Sequence, residues 1–176
     1  VVVGTNTLTG CSQTVTENIV VNPSPQVFII PNTSTVCAGS PAQLSAIGAS
    51  GLTYTWNNGA TTPVTSVSPL INTTYTLLAS NANGCIGSAT QLIHVNALPT
   101  VQVTSTHPTG LCAGESLILT AAGASSYNWA SSTSPNLYVG NPITFMPNVT
   151  TVYTITGTDA NGCKNTSAAV QVTGLS

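Results

Sequence analysis

Few residues of this chain could do chemistry. Five cysteines, at positions 11, 37, 85, 112 and 163, are joined by two histidines (His94, His107), three carboxylates (Glu17, Glu115, Asp159) and one lysine (Lys164) in 176 residues. General acid–base catalysis needs titratable groups set in pairs. Here the carboxylates are scattered, and neither histidine has an acid or a nucleophile close by in sequence. A calcium cage needs several acidic oxygens together, and Asp159 stands alone. No Cys-x-x-Cys or His-x-x-x-His spacing points to zinc. The expectation is therefore no catalytic residue, no metal ligand and no cofactor. What remains is thiol chemistry, and with it the question of which elements bring the cysteines together.

The surface around those cysteines is made of hydroxyls and amides. Thr (30), Ser (19) and Asn (16) outnumber the four ionic side chains by far, and charged residues are 2% of the chain against about 25% in an average soluble domain. One cation cannot neutralise a phosphate backbone, which excludes nucleic acid as a partner. It cannot make a polybasic membrane patch either, and no apolar run is long enough to span a bilayer as a helix. Disorder is a poor reading for a chain 41% hydrophobic with mean hydropathy +0.31. Glu, Lys, Arg and Met are scarce, while Thr, Val, Ile and Tyr are plentiful, so the predicted class is all-β. The opening residues carry no basic segment followed by a long apolar core, and no signal peptide is read there.

An internal repeat organises the strands. VCAGSPAQLSAIGASGLTYTW from Val36 matches LCAGESLILTAAGASSYNW from Leu111. Both contain Cys-Ala-Gly, a leucine seven residues after the cysteine (Leu44, Leu119), Gly-Ala-Ser, and Tyr-x-Trp (Tyr54/Trp56, Tyr127/Trp129). Farther on, a proline (Pro69, Pro147) stands six residues before a tyrosine (Tyr75, Tyr153), and Asn-Gly-Cys ends ten residues after that tyrosine. Five additional residues between Trp129 and Pro147 read as a longer loop. Residues 1–27 align with 75–101, so Cys11 corresponds to Cys85 and Cys163. The division that follows is 1–24, the last two strands (F and G) of an incomplete unit; 25–98, one unit; and 99–176, another.

Within the first unit, strands are predicted at 26–30 (A), 42–47 (B), 52–57 (C), 64–67, 74–80 (F) and 88–95 (G). In the second they fall at 100–104, 117–122, 126–130, 143–145, 152–158 and 168–173. Short strands with turn signals every 8–12 residues make a β-sandwich. The connections Asn22-Pro23-Ser24-Pro25 and Asn96-Ala97-Leu98-Pro99 are short and stiffened by proline, which implies sandwiches set end to end as a rod.

The repeat predicts two disulfides, Cys37–Cys85 and Cys112–Cys163. Each ties the segment before strand B to the F–G turn of its own unit, and the partner of Cys11 lies outside the chain. Metal ligation and free thiols are the alternatives. Bridges of this kind belong outside the cytosol. Trp56 and Trp129 could form a sugar-stacking platform, but a tryptophan on strand C more often fills the sandwich centre. Tyr75 and Tyr153 are expected to be structural at the start of strand F. Tyr54 and Tyr127 share their tryptophan's face. Asn-x-Ser/Thr sequons at Asn32, Asn72, Asn148 and Asn165 are no more than a chain this rich in Asn and Thr yields by chance.

The pattern Cys-Ala-Gly, Tyr-x-Trp, Thr-x-Tyr-Thr and Asn-Gly-Cys runs the length of the chain. It resembles the Ig-like/PKD-like repeats of large secreted Bacteroidota surface proteins, which are exported by the type IX system and described as gliding-motility-associated or adhesin-like. The resemblance implies tandem sandwiches of about 75 residues, an extracellular or cell-surface location, and a stalk, fibre or filament role without catalysis. Neighbouring repeats and other copies of the same protein are the implied partners. A carbohydrate- or ligand-binding module of a secreted protein is the alternative.

Overall fold

The computed structural model describes residues 1–107, 111–112, 114–167 and 169–173. They form seventeen strands. In chain order, the first nine are β1 (Val2–Thr5), β2 (Ser12–Val15), β3 (Val27–Pro31), β4 (Thr35–Cys37), β5 (Ala42–Gly48), β6 (Thr53–Trp56), β7 (Val64–Val67), β8 (Thr73–Ser80) and β9 (Ile86–Asn96). The rest are β10 (Gln102–Ser105), β11 (Leu117–Ala122), β12 (Ser126–Ser131), β13 (Ser134–Val139), β14 (Ile143–Phe145), β15 (Thr151–Thr158), β16 (Lys164–Thr166) and β17 (Val170–Val172). No helix occurs among the described residues.

Period-2 patterning drives the first sandwich. In β5, Ala42, Leu44 and Ala46 turn inward while Gln43 and Ile47 face out; in β8, Tyr75, Leu77 and Ala79 do the same. One sheet runs β3-β5-β7 and the other β4-β9-β8-β6. Their inner faces close on Leu44, Trp56, Leu77 and Ile93. This is an immunoglobulin-like arrangement, with strands A, B and E on one sheet and G, F and C on the other. The second sandwich repeats it with β10-β11-β14 against a sheet containing β12, β15 and the last strands. Its separate core includes Leu117, Leu119, Trp129 and Ile155.

Three features depart from the strands read in sequence. A short strand, β4, lies parallel to the end of β9, pairing Thr35 with His94 and Cys37 with Asn96. Three residues carry too little periodicity to be seen beforehand. The additional residues of the second unit are not a loop. They form β13, which hydrogen-bonds to β12 with Trp129 opposite Tyr138. The final strand is divided into β16 and β17, both on β15, because Ser167 turns its backbone N–H to the Ile155 carbonyl between them. The expected strand 168–173 thus begins only at Val170, and residue 168 lies outside the described set.

Residues 2–15 form an antiparallel hairpin, β1–β2, in register Val2↔Val15 to Thr5↔Ser12. Residues 16–26 carry no strand. Val15, at the end of β2, and Ile19 and Val21, beyond it, are all exposed.

Candidate functional site: the joint between the sandwiches

The cysteines define the site, beginning with the turns that hold them. In the turn between β15 and β16, Asp159 Oδ1 accepts the backbone N–H groups of Asn161 and Cys163, each at 2.8 Å. The Asp159 N–H reaches the Cys163 carbonyl at 3.0 Å, and Gly162, at φ 80°, makes the left-handed step that closes the turn. Cys163 is fully buried there. On the first sandwich, Cys37 ends β4. The Ala38 N–H donates to the Asn96 carbonyl, and Ser40 N–H closes a tight turn on the Cys37 carbonyl.

Cys37 and Cys163 are bonded to each other, with Cα atoms 5.5 Å apart. The two bridges expected within units, Cys37–Cys85 and Cys112–Cys163, are corrected by this pairing. Cys85, Cys112 and Cys11 are free thiols. The reason is the direction and length of the last strand. Cys37 lies beside Asn96 at the end of β9, whereas Cys85 precedes Ile86 at its beginning. At about 3.3 Å per residue those places are more than about 30 Å apart, and a disulfide spans Cα atoms only about 4.4–6.8 Å apart. The second sandwich has the same geometry. Leu111 N–H bonds to the Thr173 carbonyl, so Cys112 sits at the far end from Cys163.

What brings Cys37 to Cys163 is the connector. It leaves Asn96 at the end of β9 and enters the second sandwich beside the Cys163 turn. Asn165 Nδ2, two residues past the cysteine, donates to the Pro99 carbonyl at 2.9 Å. Gly123 presses on the same connector. A Cβ at that position would lie 1.9 Å from the Thr100 carbonyl oxygen, and its φ of 94° is one that glycine alone adopts freely. Connector, hydrogen bond and disulfide thus hold one joint.

The other residues singled out in sequence lie away from it. Trp56 is 2% exposed and gives its indole N–H to the Thr62 carbonyl at 2.9 Å; Trp129 is 0% exposed and gives its own to the Gly140 carbonyl at 2.8 Å. Tyr75 and Tyr153 are buried, and burial raises both phenol pKa values above the usual one. At Tyr153 the nearby Tyr138 adds to the shift, and a hydrogen bond with Thr151 opposes it. Tyr127 is the tyrosine seen bonding back to an upstream loop, through its hydroxyl to the Ala124 carbonyl at 2.8 Å. His107 meets the Thr106 hydroxyl and Glu115 accepts the Cys112 N–H. Among the described residues, no three His, Cys, Asp or Glu side chains gather as a metal site. Three of the four sequon asparagines serve the backbone too: Asn32 caps Gln43, Asn72 caps Val95 and Asn165 holds Pro99.

One open cleft has a character that the sequence did not announce. Phe145 meets Tyr138 edge-to-face and Tyr153 at a tilt, with centroids 5.1 and 4.3 Å apart, and the three line it with Ser131, Thr133 and Met146. It exists because β13 brings Tyr138 across to Phe145, and β13 was not legible as a strand.

No protein-family model matches the chain, and no curated protein does. Solved structures similar to it include three N-terminal domains of the highly immunogenic outer capsid protein of bacteriophage RB49, at 18% identity and TM-score 0.39, covering 85% of this chain and 59% of that one. Another is the set of fibronectin(III)-like modules of CbhA from Clostridium thermocellum, at 13% identity and TM-score 0.40, covering 83% and 93%. A third is a C-terminal fragment of intimin in complex with the intimin-binding domain of its translocated receptor, at 13% identity and TM-score 0.42, covering 86% and 64%. Likenesses this weak bear on neither the partner nor the activity of this chain.

Proposed function

We propose that the chain is a non-enzymatic structural module of an extracellular bacterial surface fibre, stalk or adhesin, of the repeat type found in large secreted Bacteroidota proteins. In this reading residues 25–98 and 99–176 are successive Ig-like/PKD-like units, and residues 1–24 are the last strands of another. The single observation that carries it is the joint. The most developed chemistry of the chain fixes one sandwich to the next, through a short proline-bearing connector, the Asn165–Pro99 hydrogen bond and the Cys37–Cys163 bridge. A bridged pair of cysteines suits an oxidising compartment. Such a module acts mechanically, by projecting or assembling, and its partners are neighbouring repeats and other copies of itself.

The cleft where the half-buried Tyr138 and Phe145 lie beside Ser131 and Thr133 favours a second reading, a carbohydrate-binding module, since aromatic rings beside hydroxyls suit a sugar. Trp56 and Trp129 take no part in it, being enclosed in the cores. Electron micrographs of the purified chain, together with a glycan-binding screen, separate the two. Strings or ordered filaments with no glycan bound support the structural module. Isolated particles that bind a glycan, and lose it in Tyr138→Ala, overturn it.

A further inference from the structure

We propose that Cys112 and Cys85 are the two open halves of the staple that Cys37 and Cys163 complete. Cys112 takes the Asn-Gly-Cys cysteine of a like sandwich following in the same polypeptide. Cys85 takes the Cys-Ala-Gly cysteine of a like sandwich preceding it. The inference rests on the reading of the chain as a repeat module and adds its connecting chemistry: a ladder of disulfides between units rather than one staple inside each.

The Cys112 half matches the bonded Cys37 half group by group. Cys37 sits where β4 runs beside the end of β9, and Cys112 follows Leu111, whose N–H is bonded to Thr173 at the end of the second sandwich. After Cys37, Ser40 N–H returns to its carbonyl; after Cys112, Glu115 N–H does so. Gly39 and Gly114 take the same left-handed step, at φ 79° and 84°. Val172 lies opposite Thr151 as Ile93 lies opposite Thr73, so in sequence Val172-Thr173-Gly174-Leu175-Ser176 stands where Ile93-His94-Val95-Asn96-Ala97 runs toward the joint.

The Cys85 half matches the bonded Cys163 half as closely. Asn81 Oδ1 accepts the N–H groups of Asn83 and Cys85, both at 3.0 Å, as Asp159 does for Asn161 and Cys163. Gly84 stands at φ 76° where Gly162 stands at 80°. The connector is gripped at the corresponding place. Asn165 holds the Pro99 carbonyl, and its counterpart Gly87 lies so close to the Pro25 carbonyl that a Cβ would come within 2.0 Å of the oxygen. The Cys85 thiol lies 3.5 Å from the carbonyl oxygen of Asn22, the counterpart of Asn96. Asn96 is the residue beside which Cys37 is set in the bonded joint. Cys85 therefore already faces Asn22, the residue that corresponds to the one beside which Cys37 is set.

One rule then assigns all five cysteines, with Cys11, in the exposed turn of the β1–β2 hairpin, being another open half of the Cys85 kind. Each closure joins two thiols with loss of two protons and two electrons. A disulfide oxidant takes these up: glutathione disulfide accepts them and leaves as two glutathione thiols.

The test is disulfide mapping under glutathione disulfide, with free thiols alkylated and nothing reduced, on two chains. The first is the 176-residue chain itself. A Cys37–Cys163 peptide is expected, with Cys11, Cys85 and Cys112 each alkylated or carrying a single glutathione, whereas Cys37–Cys85 together with Cys112–Cys163 overturns the ladder. The second chain carries a further copy of residues 98–176 directly after Ser176, so that the new connector has the length of the existing one. Here Cys112 is expected to lose its alkylation and to appear bonded to the second-copy counterpart of Cys163, with Cys37–Cys163 retained. In the Cys112→Ser variant of that chain the second-copy counterpart of Cys163 is left unpaired, alkylated or carrying glutathione, while Cys37–Cys163 still forms, which shows the fold intact. Cys112 remaining unpaired in the extended chain, alkylated or carrying glutathione, overturns the proposal. Filaments seen despite that result would leave the structural-module reading standing without its covalent ladder.

Discussion

At the scale of single residues, the two tryptophans and the buried tyrosines carry most of what can be tested. Trp129 is fully enclosed, meets the Phe145 ring edge-on with centroids 6.5 Å apart, and has its indole N–H satisfied by Gly140. Removing it leaves a large cavity and an unpaired carbonyl, so Trp129→Ala should destabilise the second sandwich by about 3–5 kcal/mol. Denaturant unfolding measures it, and an unchanged midpoint would place the ring on the surface. Tyr75 and Tyr153 give a pH dependence. Their folded pKa values lie above the usual value of about 10, so the native state resists ionisation that the unfolded chain accepts. Stability from this source is complete below about pH 10 and declines as pH rises beyond it. With the free thiols alkylated, the unfolding midpoint should fall between roughly pH 9 and pH 11; a flat midpoint would remove the tyrosines from the account. The positions of these aromatics were legible because Tyr-x-Trp and Thr-x-Tyr-Thr put them in phase with the inward leucines. The partners of the cysteines were not. A thiol's partner depends on which end of a strand it occupies, and residue spacing does not carry that information.

At the scale of elements, two short strands account for the misplaced cysteine and the unforeseen aromatic cleft. β4 has three residues and pairs in parallel with the end of β9, so it places Cys37 opposite Asn96 instead of near Cys85. β13 is stabilised by pairing with β12 and by the contact of Tyr138 with Phe145, neither of which is local in sequence. The long strands β5, β8, β11 and β15 declare themselves by alternation; β4 and β13 exist because neighbours accept them. The bridge that β4 makes possible encloses a sequence separation of 126 residues. Its contribution is to limit the freedom of an unfolded second sandwich still tethered to the first. The variant Cys37→Ser/Cys163→Ser should therefore lose about 2–4 kcal/mol in the unfolding of the second sandwich, and protease should cut residues 96–100 faster. Equal stability and an equal cutting rate would mean that connector and hydrogen bond hold the joint without the bridge.

At the scale of the whole molecule, the surface chemistry decides how copies of the chain meet. Four ionic side chains are spread over 176 residues, while the outer face of β3-β5-β7 shows Phe28, Ile30, Ile47 and Val64 to solvent. Phe28 and Ile47 are directly paired across β3 and β5, and Ile30 and Val64 flank Ser45 in the next row of the same face, so these side chains share one apolar strip interrupted by a single hydroxyl. Such strips favour association. Natural sheets usually blunt it with lysine or other charges along their edges, and here the sole lysine, Lys164, is on β16 of the other sandwich. The hairpin at residues 2–15 adds Val2, Val3, Leu8 and Val15, all exposed. Contacts between copies must then be made by apolar, hydroxyl and amide groups. Interactions of that kind have no net charge for salt to screen: ionic strength acts on charge pairs over a Debye length of about 10 Å at 0.1 M, and this surface offers almost none. Self-association should accordingly be nearly the same at about 0.05 M and about 0.5 M sodium chloride. Sedimentation velocity over a concentration series at both salts checks it. Dissolution of the assembly at the higher salt would show that the few charges govern the contact, and a monomer at every concentration would show that the apolar strip does not drive association at all.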